Sequence, residues 1–544
     1  MPRTVPRLAL ALATVLAGCA RPGTPATTPA PRTAPRTTDS TAHARPHATA
    51  KRATARAGAL PPIPVVAGSL SVHVVYPPST QLITSRDSTF VLGSLGNGHA
   101  TLTIDGQPAR VYPNGAFMAF VANPPATAPH YDLVAVLGAD TIRATHLVRV
   151  RAPAARRPEA PAAPPPPDTV GKWVRLDDPA SATLPDTDQT VVVRPRPNDT
   201  YHWFFLPGTV VWRDRGENGY TRIRVDSELT AWVPDSVTHD VDPDAPPPRR
   251  VADNAVVRSA PGWEDFVLPV GSRPAYFVEE RDHAIDLTLY DTRGNTDIVR
   301  YPTGDSLIRR VEWAQVDDDR VRYTLHLSAQ PYGYLVLWEH GQFVLRVRRP
   351  PAIDRAHPLR GLVIAIDAGH PPGGATGPTD LREPDAVLAV SERLKTMLEA
   401  EGAAVVMTRS DSEPVGLDDR AVIARRADAD AFVSVHLNSF PDGTNPFTTA
   451  EGSATFFYRG QSEPLARAVQ RGMVASMGLP DQGVVFRSLA VVRQTWMPSI
   501  LCEGAFVIVP EQEAALRTPQ FQTAYARGIA DGLRAYFAAL GAGR

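Results

Sequence analysis

Cysteine is almost missing from this 544-residue chain, which has only Cys19 and Cys502. A disulfide framework is therefore excluded as the source of its stability. Net charge is missing too. Lys and Arg number 56 against 57 Asp and Glu, a balance of −1. A nucleic-acid partner would need a basic excess, so none is expected. No apolar run is long enough to span a bilayer; Leu8–Gly18 falls well short of the roughly 20 residues required. Proline, in contrast, is abundant, and it gathers in stretches that divide the chain.

Arg3 and Arg7 precede that short apolar stretch, which ends in Leu16-Ala17-Gly18-Cys19. Such an order reads as an export signal. Its last four residues resemble the lipobox of bacterial lipoproteins, which implies cleavage after residue 18 and acylation of Cys19. Several acyl chains together anchor firmly where one does not. The expected location is the cell envelope: exported, lipid-anchored and periplasm-facing, on the outer membrane if the envelope has one. Residues 19–62 are rich in Pro, Ala, Thr and Arg, with seven Lys or Arg between residues 20 and 60 against the single Asp39. So little apolar content cannot fold. Extended at about 3.1 Å per residue, the segment is a tether reaching on the order of 130 Å.

Residues 63–150 read as strands with turn signals such as Asp105-Gly106, a pattern that suggests a β-sandwich. A Pro-rich linker occupies 151–167. The next unit, 168–245, contains Thr221–Val225 followed by Leu229-Thr230-Ala231-Trp232-Val233. That pair resembles the end of bacterial SH3-like wall-associated domains. Alternating strands continue through 246–352, which loosely resembles β-sandwich wall-targeting domains. Tyr332, Tyr334, Trp338 and Phe343 are expected in its core. These units are expected to target rather than catalyse, and cell-wall or division proteins are their candidate partners.

From Leu359 the pattern becomes strand–helix alternation, the signature of a mostly parallel sheet flanked by helices. Strands are expected at 362–367, 404–408, 431–436, 453–458, 489–492 and 499–503, and helices near 385–400, 417–427, 463–477 and 518–538. The fold class is thus multidomain, with an α/β domain at 358–540 behind all-β sandwich and SH3-like domains. Four side chains stand out: His370, His436 and Glu503, each close to the end of an apolar run, and Glu383, just before Pro384 at a helix entrance. Strand ends of a parallel sheet meet at one crevice. Two imidazoles and a carboxylate there make an open zinc site, and a further carboxylate can carry a proton. Cys502 reads as a small buried hydrophobe, since no partner motif for a catalytic thiol follows it.

The order Ile366-Asp367-Ala368-Gly369-His370, Glu383, Val405-Val406-Met407-Thr408-Arg409, Leu417-Asp418-Asp419-Arg420, Ser434-Val435-His436-Leu437-Asn438 and Met497-Pro498-Ser499-Ile500-Leu501-Cys502-Glu503-Gly504 resembles the zinc-dependent N-acetylmuramoyl-L-alanine amidases, which are cell-wall hydrolases. The resemblance covers about residues 360–540. It implies one Zn2+ per catalytic domain, held by His370, Glu383 and His436, with Glu503 as the catalytic acid and base. It also implies peptidoglycan as substrate and, as substrate-binding candidates, Asn438 and Arg409. The chain departs from the family pattern at Pro371-Pro372, at Pro384 and at Val509. Two other readings stay open: a different zinc peptidase acting on peptidoglycan stem peptides, and a non-catalytic wall-binding lipoprotein. Some relatives carry a long insertion that blocks the zinc. Here the segment 463–477 is read as a packing helix instead, leaving the site open.

Overall fold

The computed structural model describes residues 60–150, 171–181, 184 and 189–542. The signal, Cys19, the tether up to residue 59 and the linker 151–167 lie outside the described residues.

Residues 63–150 form one continuous antiparallel ladder of seven strands beside a short parallel pair, Leu82–Ile83 with Arg149–Val150. The order of the seven is His73–Tyr76, Ser88–Ser94, Ala116–Ala122, Gln107–Val111, Thr101–Ile104, His130–Leu137 and Asp140–Leu147. The expected sandwich layers are therefore joined. The Gln107–Val111 strand pairs with Thr101–Ile104 on one side, and its Arg110 and Val111 pair with Met118 and Phe117 on the other. Side chains of a strand alternate between its two faces. Val91, Phe117 and Ala119 turn to the unit's own core, beside Leu102, Leu133 and Tyr131. Phe90, Leu92, Ala116 and Met118 turn the other way and join the core of the C-terminal domain. Both faces are covered, which explains why Ser88–Ser94 is apolar throughout its middle.

Residues 172–240 contain a five-stranded antiparallel sheet in the order Thr230–Pro234, Tyr220–Arg224, Thr209–Glu217, Lys172–Leu176, Thr238–Asp240. A separate Val191–Val193 and Trp203–Phe205 pair accompanies it. Residues 251–348 build a five-stranded and a four-stranded sheet. One buried cluster runs from Val174 to Val347, so these two units share a single core across the sequence boundary near 246. Tyr332, Tyr334 and Phe343 are buried, and Trp338 packs partly buried against that core.

The C-terminal sheet has six strands, ordered Ala404–Met407, Val363–Ala368, Ala431–Asn438, Ser499–Phe506, Ser453–Phe457, Asp481–Phe486. The first four run parallel. Ser453–Phe457 is antiparallel to Ser499–Phe506. The strand expected at 489–492 is instead a 3-10 turn at Ala490–Val492, and the edge strand lies earlier, at Asp481–Phe486. The apolar run Leu489–Val492 misled because a short apolar run marks burial, not extension. Val491 and Val492 are buried beside helix α2 (Leu417–Arg426).

Helices α1 (Glu383–Ala400), α3 (Glu463–Met477) and α5 (Pro519–Ala542) pack together, and a short α4 (Pro510–Leu516) precedes α5. Helix α3 packs on α5, as its apolar face predicts. The two approach closely because Gly472, Gly528 and Gly532 sit at the crossing; a Cβ on Gly472 would stand 2.1 Å from the Gly528 carbonyl oxygen.

The β units grip the two ends of this sheet. At the ends where strands begin, Arg348 donates to the Ala429 carbonyl at 2.6 Å and pairs with Asp430 at 3.1 Å. The Tyr332 hydroxyl donates to the Asp430 carbonyl, and the Tyr334 amide donates to Thr495 at 2.8 Å. At the opposite ends, the 63–150 unit touches two loops and the first turn of α4. Thr84 donates to Asp442 through its amide and hydroxyl, Arg110 reaches Glu511 at 3.2 Å, and His73 reaches Asp380 at 3.1 Å.

Candidate metal centre

The parallel strands deliver the site. In register, His436 lies beside Glu503 on neighbouring strands. His370 follows the strand Val363–Ala368 on the other side of His436. Gly369 makes this possible: its amide donates to Val435 at 2.9 Å, and a Cβ there would stand 2.5 Å from the His436 ring. Glu383 opens α1 and points back at both imidazoles.

His370 Nε2 lies 3.5 Å from Glu383 Oε1, and His436 Nδ1 lies 3.1 Å from the same oxygen. The two rings meet edge to face with centroids 4.9 Å apart. One ligand atom from each of the three residues falls within 4.8 Å of the others. The other nitrogen of His370, Nδ1, is 2.8 Å from the Pro372 carbonyl. That contact fits an Nδ1–H donor, which leaves Nε2 as the lone-pair nitrogen facing the triad. Glu383 is held by the Leu437 amide at 3.0 Å and the Ala375 amide at 2.9 Å.

Charge is concentrated here. Burial pushes the Glu383 carboxyl up, but its bond to His436 and the two imidazoles outweigh that and hold it below the ordinary range. Burial alone would lower His436, yet Glu383 raises it. Burial pushes Glu503 up to about 8; His436 opposes this and Glu383 adds to it. Glu503 Oε2 is shielded from solvent and has no hydrogen-bond partner among the described residues. An orphaned carboxylate oxygen in a polar pocket is costly unless something answers it. Two imidazoles around one carboxylate, with a second carboxylate close by, are donors that suit a divalent zinc ion. The residues therefore fit the metal.

The backbone that carries His370 is strained, with φ at +54°. A non-glycine residue in this region costs about 1–3 kcal/mol and needs its surroundings to enforce it. Arg409 and Arg420 do so. Arg409, 5% exposed, donates to the carbonyls of Ala368 at 2.8 Å, Gly369 at 2.9 Å, Pro384 at 2.8 Å and Asp411 at 2.7 Å. Its guanidinium is spent on backbone, which corrects its expected role in binding substrate: it positions the loops of His370 and Glu383. Arg420 donates to the carbonyls of Ala368 at 3.0 Å and Pro371 at 2.9 Å, and it pairs with buried Asp367 at 2.7 Å. Asp367 also accepts from Thr408 and Ser434, each at 2.6 Å.

Asn438 ends the His436 strand; its Oδ1 accepts the Ser439 amide at 2.9 Å. Cys502 is fully buried, which raises its thiol far above the ordinary value. Two supports went unread in the sequence. Glu513 of α4 accepts the amides of Thr379 at 3.0 Å and Leu381 at 3.1 Å, bracing the loop before Glu383. The Tyr525 hydroxyl shares its one proton between the carbonyls of Cys502 at 2.8 Å and His436 at 3.0 Å. A signal existed only for Asp367, an acid within an apolar run.

Residues 364–535 match the family model described as N-acetylmuramoyl-L-alanine amidase. The uncharacterized protein YqiI of Bacillus subtilis is 35% identical over 34% of this chain and 90% of its own length. The probable cell wall amidase LytH of Staphylococcus aureus is 30% identical over 42% of this chain and 72% of its own length. The N-acetylmuramoyl-L-alanine amidase LytC of Bacillus subtilis is 32% identical over 33% of this chain, which spans 36% of that relative. Among solved structures, the catalytic domain of CwlV from Bacillus (Paenibacillus) polymyxa var. colistinus is 32% identical over 32% of this chain and 97% of its own, with a TM-score of 0.30. By its matched domain and by relatives spanned over most of their length, this chain belongs to the N-acetylmuramoyl-L-alanine amidase family.

Proposed function

We propose that the chain hydrolyses the amide bond between N-acetylmuramic acid and L-alanine in peptidoglycan, with His370, Glu383 and His436 holding one zinc ion and Glu503 moving the proton. The observation that carries this is the convergence of three metal-donor residues beside a carboxylate whose shielded Oε2 has no hydrogen-bond partner among the described residues. Bound among these donors, zinc supplies Lewis acidity, which makes water nucleophilic near neutral pH and steadies negative charge on the carbonyl oxygen.

The chain's own residues do the rest. Glu503 Oε2 takes a proton from the attacking water and hands it to the departing amine nitrogen. Its place in register with His436 holds that oxygen beside the triad. Glu383 and the His370–Pro372 contact fix the imidazoles, so little reorganisation remains when substrate arrives. Asn438 at the crevice edge is a substrate contact in this reading.

Lipidation at Cys19 would place the enzyme on the envelope facing the periplasm, and the β units, the five-stranded sheet of 172–240 as an SH3-like module, would hold it to the wall. Metal analysis and turnover of two variants test the site. His436→Ala is expected to lose zinc. Glu503→Gln is expected to keep it and lose most turnover. Full zinc in the first, or near-normal hydrolysis in the second, contradicts the assignment.

A further inference from the structure

A cavity of about 410 Å³ opens where the 172–240 unit, the 251–348 sandwich and the C-terminal domain meet. None of the four metal-centre residues lines it. Three arginines of the C-terminal domain do, Arg425, Arg459 and Arg493. The Arg493 guanidinium lies over the Tyr201 ring at 4.5 Å, and that of Arg459 over Phe204 at 5.7 Å. Tyr201 and Phe204 come from the 172–240 unit, so the cations are seated on another unit's aromatic faces. Stacking occupies the faces of a guanidinium and leaves its in-plane N–H groups for acceptors.

Those groups are little used. Arg459 Nε donates to the Arg493 carbonyl at 3.2 Å, and Arg493 Nη1 reaches the Ser488 hydroxyl at 3.4 Å. Neither guanidinium forms an ion pair with a described residue. Asp178 and Asp418 also line the cavity; Arg459 feels the charge of Glu280 and Arg493 that of Asp418, without an ion pair to either. The two cations also repel each other, which adds to burial in lowering Arg493. Like charges held together without a paired acid want an anion with more than one negative group.

The walls narrow the choice. Tyr276–Arg281 is the last strand of the four-stranded sheet, and Gly333–Glu339 is the last of the five-stranded one. Both border the cavity. An edge strand has hydrogen-bonding groups that its own sheet does not use; the Tyr334 amide already meets Thr495, and an extended peptide can meet others. Apolar Leu335 and Val336 of Gly333–Glu339 line the cavity and suit small methyl-bearing side chains. A bare inorganic anion would use the arginines and leave these edges unmet.

We infer that this cavity binds a short peptide carrying at least two carboxylates, with Arg459 and Arg493 taking the carboxylates and the edge strands taking the backbone. The identity of the peptide rests on the function proposed above, since hydrolysis of a muramoyl–alanine amide releases an acidic peptide with an L-alanine amino end. Such a site would hold the enzyme on peptide-bearing wall, or report released peptide, at a distance from the reacting bond.

Isothermal titration calorimetry on the full chain tests this. A His436→Ala background, in which the metal triad is broken, removes peptide binding at the zinc centre. The probe is the tripeptide L-Ala-γ-D-Glu-L-Lys, compared with the same peptide with both carboxyls amidated and with inorganic phosphate. The acidic tripeptide is expected to bind, and the amidated one at least tenfold more weakly. Arg493→Gln is expected to weaken binding at least tenfold. Val336→Trp, which fills the cavity and leaves both charges, is expected to abolish it. No binding, equal binding of the amidated peptide, or binding indifferent to both substitutions overturns the inference. Phosphate binding without peptide binding overturns it too, leaving a simple anion site. Amidase activity is measured separately on the chain with His436 intact. An active enzyme that ignores the peptide sinks the cavity proposal alone, whereas an inactive one that binds peptide through Arg493 sinks only the catalytic reading.

Discussion

Asp367→Asn is the substitution whose effect the structure defines best. Asp367 is fully buried and faces Arg420 at 2.7 Å, with side-chain exposures of 1% and 3%. The amide keeps the volume of the acid and removes its charge. Asn can still accept from Thr408, and the Ser434 hydroxyl can turn to accept from the new amide, so those two bonds survive. What is lost is the charge opposite a buried guanidinium. Breaking one side of such a pair costs about 3–5 kcal/mol, because the remaining ion stays buried and unanswered. Each kcal/mol is worth roughly 2–4 °C in a domain of this size, so a fall of roughly 6–20 °C is expected for the C-terminal domain. The effect should reach the metal. Arg420 also holds the Pro371 carbonyl next to strained His370, and loosening such supports costs on the order of tenfold or more in metal affinity. Scanning calorimetry of the zinc-free chain and a competitive zinc titration measure the two effects. A double cycle with Arg420→Gln should be strongly non-additive, since both changes break one interaction. An unchanged melting temperature with normal zinc affinity would refute the reasoning.

Three further outcomes follow from particular contacts. Arg409→Met takes a donor from the carbonyls of Ala368, Gly369 and Pro384, of which Ala368 keeps Arg420 and Pro384 the helix, so the main loss is at Gly369, about 1–3 kcal/mol; turnover and zinc content should fall together, and a loss of substrate affinity alone would restore the binding role. Phe90→Ala should cost about 3–5 kcal/mol and raise dye binding, because Phe90 faces the C-terminal core from another unit; a fragment of about 355–544 should likewise bind dye, and a compact, dye-silent fragment would show that the shared core is dispensable. Glu264 is buried, and although burial pushes its carboxyl up, the amides of Ile308 and Leu307 outweigh that and hold it below the ordinary value. Its stabilisation is thus present above the unfolded carboxyl pKa and lost as pH falls through the folded one; Glu264→Gln should flatten the acid side of the sandwich's stability profile, and an unchanged slope below pH of about 4 would contradict this.

Much of the C-terminal domain was legible because its signals are local. Apolar runs before His370 and His436, and one around Glu503, mark the buried parallel strands, and Pro384 marks the entrance of α1 at Glu383. The expected span 463–477 coincides with α3, whose apolar face and flanking Gly478 are both local features. What stayed hidden depends on contacts between distant segments. Arg409 looks the same in sequence whether it faces a substrate or four backbone carbonyls; only the fold distinguishes them. Leu489–Val492 carries the apolar character of a strand, yet a buried turn needs that character equally. The junction of the 63–150 ladder with the catalytic core was invisible for a similar reason. Phe90 and Leu92 alternate with Val91, and alternation does not say which apolar face has a partner outside its own unit. Hence the sequence suggested a targeting unit, while the structure packs that ladder against the loops of Asp380 and Asp442 and against Glu511 of α4.

The central claim is that one amide bond is cut at a centre built from His370, Glu383, His436 and Glu503. Mass analysis of a soluble muropeptide digested by the full chain tests it most directly, with Glu503→Gln alongside. The account expects two products from the native chain, an intact peptide with a free L-alanine amino group and a glycan with a free lactyl carboxyl, and neither from the variant. Peptides shortened within the stem, or the same two products from the Glu503→Gln chain at a native rate, would contradict it.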